Sequence, residues 1–88
     1  MPERDVKWRI SPDAALLFRY WGDGECVLYH GASGDTHRIP DIAGKLLEYL
    51  VQRPASTPEA SEAIDLHEDD VAMTLDEMRK LGVTEVIA

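Results

Sequence analysis

The chain has 88 residues, of which 44% are hydrophobic and 30% are charged, and its formal net charge is −8 at pH 7. This composition is ordinary for a globular protein, so we expect residues 1–88 to form a single domain with one modest core. No apolar run approaches the roughly 18 residues of a membrane span, and the charged start, Met-Pro-Glu-Arg-Asp, lacks the apolar stretch of a signal peptide. A single cysteine cannot form a disulfide within the chain, which fits a reducing compartment, so we expect a cytoplasmic protein.

The negative charge is concentrated in the C-terminal part of the chain. Residues 56–88 contain nine acidic residues and two basic ones, Arg79 and Lys80, whereas residues 1–55 are close to neutral. Because binding to nucleic acid depends on cations that contact phosphate, this distribution argues against a nucleic-acid partner. The acidic half is either a solvated face that keeps the protein soluble or a surface that attracts a basic segment of a partner.

The N-terminal half has the pattern of short strands. Val6–Ile10 alternates between apolar and cationic residues, as a half-buried strand does, and Ser11-Pro12-Asp13 ends it. Ala15–Trp21 is a second strand, apolar on both faces except at Arg19. The following Gly22-Asp23-Gly24 is a strong hairpin signal.

Two more strands follow this hairpin. Glu25–His30 is the third strand, and Gly31-Ala-Ser-Gly34 is a tight connection to the fourth, Asp35–Ile39. The N-terminal half is therefore predicted to be an antiparallel meander of three or four strands. Because Asp35–Ile39 comes where the sheet gives way to helices, we expect it to be a sheet edge.

At Pro40 the apolar period changes from two to 3.6 residues. Pro40 suits the first turn of a helix, and Asp41–Gln52 has one wide apolar face. Arg53-Pro54-Ala55 ends this helix, and a second, Pro58–Ile64, follows. Its start carries Thr57 as a possible cap, and a Ser56/Glu59 pair with the spacing of a capping box.

A third helix is predicted over Glu68–Leu81, with acidic residues at its start and Arg79 and Lys80 at its end. Its apolar stripe consists of Val71, Leu75, Met78 and Leu81. Gly82 ends the helix, and Val83–Ile87 is a final short extended segment. The fold class is therefore α+β and winged-helix-like, with the last two helices arranged like a helix-turn-helix.

Several runs of this chain carry a resemblance to a known family. They are Val27–His37, Pro40–Ala43, Ser56–Glu59 and Leu75–Val83. Together with the order of strands and helices, they make the chain from about Ala15 to Ile87 similar to the PqqD-like peptide chaperones, also called RiPP recognition elements. The run Ala-Ser-Gly-Asp-Thr-His resembles a branch found in gene neighbourhoods with a kinase-like protein related to the HPr kinase.

The resemblance implies a non-enzymatic recognition module that binds the leader segment of a ribosomally made precursor peptide. In the family the leader adds as a strand to a sheet edge, beside the last helix, and is presented to a separate modifying enzyme. Carried over, the receiving edge is Asp35–Ile39 and the opposite wall is Glu68–Leu81. The expected peptide-binding residues are Asp35, Thr36, His37, Arg38 and Ile39 of the strand and Asp70, Thr74, Leu75, Glu77 and Met78 of the helix. Thr36 and Arg38 point to one face of the strand, and His37 and Ile39 to the other.

Other site types are less well supported by the residues. His30, His37, His67 and Cys26 match no compact zinc spacing, so no metal or cofactor is predicted. Asp35-Thr36-His37 is better explained by turn hydrogen bonds or an interface than by catalysis, and no nucleophile, base and oxyanion site assembles, so we expect no enzyme.

Two alternatives to peptide binding stay open. The helix pair could bind DNA in the manner of a winged helix, although Glu68-Asp69-Asp70 stands where base contacts would be made. The chain could instead be an adaptor that docks on a protein or forms a homodimer through its strand edge, without a peptide ligand. The strand Val6–Ile10 could pair within the sheet or with a neighbouring chain.

Overall fold

The computed structural model describes residues 6–87, which form an α+β fold of six strands and three helices. The charged segment 1–5, considered above for a signal peptide, lies outside these residues. In chain order the elements are β1 (Lys7–Ile10), β2 (Leu16–Tyr20), β3 (Glu25–His30), β4 (Asp35–Pro40), α1 (Asp41–Gln52), β5 (Ala55–Ser56), α2 (Thr57–Ile64), α3 (Glu68–Lys80) and β6 (Thr84–Ile87). No helix in this part of the chain is long and apolar enough to cross a bilayer.

The predicted meander is confirmed in its three-stranded form, with the strand order β2-β3-β4. In its register Leu17 lies opposite Tyr29, which lies opposite Thr36. The connection from β3 to β4 turns through Gly34, whose φ of +78° is readily adopted only by glycine. At the start of the same turn a Cβ on Gly31 would lie 2.8 Å from the Ala15 carbonyl oxygen, so the close approach of the two segments requires glycine there as well.

β1 is not part of the meander, so the four-stranded version of the prediction is wrong. It lies in a second antiparallel sheet of order β5-β1-β6, where Trp8 faces Ala55 on one side and Val86 on the other. The alternating pattern correctly placed Trp8 inside, since only 5% of it is exposed. Periodicity indicates that a segment is a strand but does not identify its partner, and here the partners are β6, the last strand, and β5, the short strand after α1.

The core has two parts, and α1 packs against both. One cluster lies under the second sheet and contains Trp8, Leu46, Leu50, Ala55, Ala60, Val71 and Leu75. The other lies under the meander and contains Cys26, Leu28, Ile39, Ala43, Leu47, Met78 and Val83. α1 therefore holds the two sheets together through two neighbouring rows of its wide apolar face: Leu46 and Leu50 contact the first cluster, and Ala43 and Leu47 the second.

The helix ends follow the sequence signals with small shifts. Pro40 is the last residue of β4 and the N-cap of α1 rather than a residue of its first turn. Ser56, not Thr57, caps α2: the Glu59 amide donates to Ser56 Oγ at 3.3 Å, and the Ser56 amide donates to Glu59 Oε1 at 2.9 Å. α3 ends at Lys80, and Leu81, expected in the buried stripe, is 42% exposed.

Candidate functional site

A groove runs between β4 and α3, the position that the resemblance implies. It encloses about 300 Å³, and the residues that line it come from the end of β4, the start of α1 and the second half of α3. They are His37, Arg38, Ile39, Pro40, Ile42, Ala43, Thr74, Glu77, Met78 and Leu81.

β4 borders this groove with backbone groups that no neighbouring strand occupies. Within residues 6–87, β4 pairs only with β3, so its other side is a sheet edge. The Asp41 amide donates to the Gly24 carbonyl at 2.9 Å, in register with the ladder. Because directly hydrogen-bonded pairs alternate with unbonded ones in an antiparallel ladder, Ile39 and His37 bond inward to β3. The N–H and C=O groups of Thr36 and Arg38 therefore point outward at the edge.

The floor of the groove is apolar. Ile39 from β4, Ala43 from α1 and Met78 from α3 meet there, and each is no more than 7% exposed. His37 is half-buried beside them, on the same face of the strand as Ile39, as the alternation predicted. Such a floor can accept an apolar side chain of moderate size.

The rim of the groove is polar and mainly acidic on the helix side. Thr74 is half-buried and Glu77 is exposed, one turn apart along α3. Asp70 precedes Thr74 by four residues, so it lies on the same stripe of the helix, one turn beyond the groove lining. On the strand side, the Arg38 guanidinium lies 3.1 Å from the Glu25 carboxylate, at an exposed position.

Four of the predicted residues do not line the groove: Asp35, Thr36, Asp70 and Leu75. Leu75 is fully buried and belongs to the core cluster under the second sheet, with Trp8. The α3 stripe winds around the helix axis, so Leu75 and Met78 contact different parts of the core. Asp35 is exposed at the hairpin end of β4, where its amide donates to Ser33 Oγ at 3.2 Å.

The structure adds four lining residues that the sequence reasoning missed. Pro40, Ile42 and Ala43 line the groove because α1 follows β4 without a loop, which keeps the first turn of the helix beside the strand. The change of period at Pro40 was a usable signal for this junction. Leu81 was assigned to the core because it continues the stripe of α3, but the helix ends before it.

The hairpin that presents β4 is stabilised by short-range hydrogen bonds. The Gly34 amide donates to the His30 carbonyl at 2.8 Å, and Ser33 Oγ lies 3.0 Å from His30 Nδ1. His30 is only 4% exposed, so this bond anchors the turn to the core side of the sheet. The Gly-Ala-Ser-Gly-Asp run thus shapes the start of the edge strand.

Among the described residues, the side chains considered from the sequence for a catalytic or metal site do not come together. Thr36 lies on the opposite face of β4 from Asp35 and His37, so these three side chains do not converge. Cys26 is fully buried, and this burial raises the pKa of its thiol. Among residues 6–87 no three His, Cys, Asp or Glu side chains cluster in a way that could hold a metal ion.

Comparison with known proteins returned no match: no protein-family model, no curated protein and no solved structure is significantly similar to this chain.

Proposed function

We propose that this domain binds an extended polypeptide segment, which adds as a strand to the edge of β4. The observation that carries the proposal is the outward-facing backbone of Thr36 and Arg38 beside the apolar-floored groove. An incoming strand would exchange main-chain hydrogen bonds with these two residues, each bond contributing about 0.5–1.5 kcal/mol. Alternate side chains of that strand would point towards the groove and away from it.

The groove indicates which side chains the ligand should carry. An apolar side chain would enter between Ile39 and Met78, where it loses its exposure to water. A basic side chain would lie near Glu77, and a second one could reach Asp70 about two helical turns away. No cation among the described residues forms an ion pair with either acid, and the chain as a whole carries a charge of −8, which favours a basic partner.

The finer proposal is that this segment is the leader of a ribosomally made precursor peptide. It rests on the resemblance of residues 15–87 to the PqqD-like peptide chaperones. In this proposal the domain is not an enzyme: it presents the bound precursor to a separate modifying enzyme or kinase-like protein in the cytoplasm. The presence of an open edge and a groove at the position that the resemblance implies supports this reading.

The test is a titration of the isotope-labelled domain with a leader peptide encoded beside its gene. The readout is the change in chemical shift of each backbone amide. We expect the largest shifts at Thr36 and Arg38 and at the α3 residues that line the groove. A peptide N-methylated at its pairing positions should bind much more weakly, because each methyl group removes a main-chain donor.

A pair of variants separates backbone pairing from side-chain contacts. Thr36→Pro removes an outward N–H without touching the bonds to β3, whereas Thr36→Val keeps that N–H. We expect Thr36→Pro to weaken peptide binding at least about tenfold, which corresponds to about 1.4 kcal/mol. Thr36→Val should change the peptide affinity little. Equal binding by both variants, or shifts confined to another surface, would contradict strand addition at β4.

A further inference from the structure

The other edge of the meander, formed by β2, is also open. Within residues 6–87, β2 pairs only with β3. The Trp21 amide donates to the Glu25 carbonyl and the Gly31 amide to the Ala15 carbonyl, both in register with this ladder. By the alternation of an antiparallel ladder, Leu17 and Arg19 bond to β3. The N–H and C=O groups of Leu16, Phe18 and Tyr20 therefore face outward.

Natural sheet edges usually carry charged residues or proline, which prevent pairing with another chain, whereas the β2 edge is mainly apolar. The strand reads Leu-Leu-Phe-Arg-Tyr, with Arg19 as its one charge and no proline. Leu16 and Phe18 are half-buried, but Leu17 on the outer face is 68% exposed, and Val51 of α1, near the same edge, is 52% exposed. An exposed apolar edge of this kind promotes pairing with another chain unless a defined partner covers it.

We propose that the partner is a second copy of this chain, whose β2 pairs antiparallel with β2 about a two-fold axis at Phe18. The outward residues fit this symmetry, since Phe18 then faces its own copy and Leu16 faces Tyr20. The two three-stranded meanders become one continuous sheet, with the helices of both copies on the same side. The proposal does not depend on the ligand of β4, because it uses the opposite edge.

The charged side chains beside β2 can pair with those of a second copy. The groove between β2 and α1 has both a cation, Lys45, and an acid, Glu48, on its helix wall. Lys45 forms no ion pair within residues 6–87, so in a two-fold arrangement it can face the acid of the other copy. On the outer face, Leu17 would lie directly opposite Arg19 of the second copy, in an unbonded pair with Cα atoms about 4.5 Å apart.

The first test uses the unmodified full chain. Its molar mass in solution, measured by sedimentation or light scattering, should rise from monomer to dimer as the concentration increases. Over the same range, hydrogen exchange should slow at the amides of Leu16, Phe18 and Tyr20 and stay unchanged at those of Thr36 and Arg38. A monomer at every concentration, or protection at Thr36 and Arg38 instead, overturns the proposal.

The second test uses matched substitutions on the exposed outer face. Leu17→Lys would set a cation opposite Arg19 of the other copy, twice per dimer, and should raise the dimer Kd at least about tenfold, or about 1.4 kcal/mol. Thr36→Lys makes the same exposed change on β4 and should leave the Kd unchanged. Adding Arg19→Glu to Leu17→Lys should restore dimerisation, because the facing pair then has opposite charges. Equal effects at Leu17 and Thr36, or no rescue, would place the contact elsewhere and overturn the proposal.

Discussion

The two edges of the meander, β4 and β2, differ in their charge and in the backbone donors they leave free. β4 carries Asp35 and Arg38 and ends at Pro40, so charge and a missing N–H limit its pairing. β2 has a single charge, Arg19, and an uninterrupted set of backbone donors. Both edges border a groove, but the β4 groove has a fully apolar floor and an acidic rim, whereas charged side chains stand on the helix wall of the β2 groove.

The difference indicates that open edges of one sheet can serve different kinds of partner. An edge with few free donors and a shaped pocket suits a ligand that must be recognised and released. An apolar edge without proline and with little charge suits a permanent partner, because an uncovered edge of this kind promotes aggregation. Substitutions on the two edges should therefore differ in their effects.

Ile39→Ala should have the largest effect. Ile39 is 7% exposed, in the core cluster under the meander and at the floor of the β4 groove, so its truncation should lower the free energy of unfolding by about 2–5 kcal/mol. The matched change on the other edge is Leu17→Ala, at a site that is 68% exposed, and should alter stability by no more than about 0.5 kcal/mol in the monomer. Urea unfolding at low protein concentration measures both, and similar losses would contradict the assignment of faces.

Gly44→Val should disturb the support that both edges share. A Cβ at Gly44 would lie 2.8 Å from Cys26 Sγ and 3.0 Å from Tyr20 Oη, which itself donates to Glu48 Oε2 at 2.8 Å. Overpacking of this kind should cost roughly 1–3 kcal/mol and push α1 away from the sheet. Lys45→Ala, on the exposed side of the same helix, is the control and should be nearly neutral. A Gly44→Val domain as stable as the parent would mean that α1 approaches the sheet less closely.

Ser56→Ala should cost about 1 kcal/mol of stability and leave both edges unchanged, because it removes only the N-cap of α2. It therefore separates a loss of stability from a loss of binding. Thermal unfolding gives the first quantity, and peptide titration with the concentration dependence of mass gives the second. A change in peptide affinity or dimer Kd in this variant would show that these binding measurements report the stability of the domain rather than contacts at the edges.

The same cap predicts a pH dependence. Hydrogen bonds from the Ser56 backbone and side chain, with the Lys7 ammonium 3.6 Å away, lower the pKa of Glu59 below its ordinary value of 4.5. Since the folded-state pKa is the lower one, this stabilisation is present above about pH 4.5 and is lost as the pH falls through the folded value. Glu59→Gln should flatten that part of the stability curve, measured by urea unfolding between neutral and acidic pH. An unchanged slope would contradict the role of this carboxylate.

Arg38→Gln should have the smallest effect on stability, within about 0.5 kcal/mol, because the Arg38–Glu25 pair is largely exposed. The outward N–H and C=O of residue 38 remain, so strand addition should persist with little change in peptide affinity. Isothermal titration compares the two proteins at the same salt concentration. A complete loss of binding would mean that the side chain, not the backbone, recognises the ligand.

Much of the fold follows from local patterns in the sequence. The strand Glu25–His30 is predicted with the bounds that the structure shows, because glycine-containing turns flank it on both sides. The capping box and Gly82 defined the start of α2 and the stop after α3 to within a residue or two. Such signals are short-range, so they do not depend on how the elements pack.

The resemblance implied the position of the candidate groove in outline, but not all of the residues expected there line it. The edge position of β4 and the facing helix α3 were expected, and Met78, Thr74 and Glu77 lie at the groove. Leu75 was misplaced because an apolar stripe does not reveal which of two core clusters each of its residues contacts. Ile42 and Ala43 were missed because the loop-free junction between strand and helix only has meaning in three dimensions.

The kinds of element, their order and most of their ends follow from local features of the chain: φ/ψ preferences, caps and the spacing of apolar residues. The pairing of β1 with β6 rather than with β2, which leaves the meander with two open edges, is visible only in the folded structure. The reason is physical: strand pairing joins residues that are far apart in the chain, and the choice of partner depends on which surfaces the whole core can bury together.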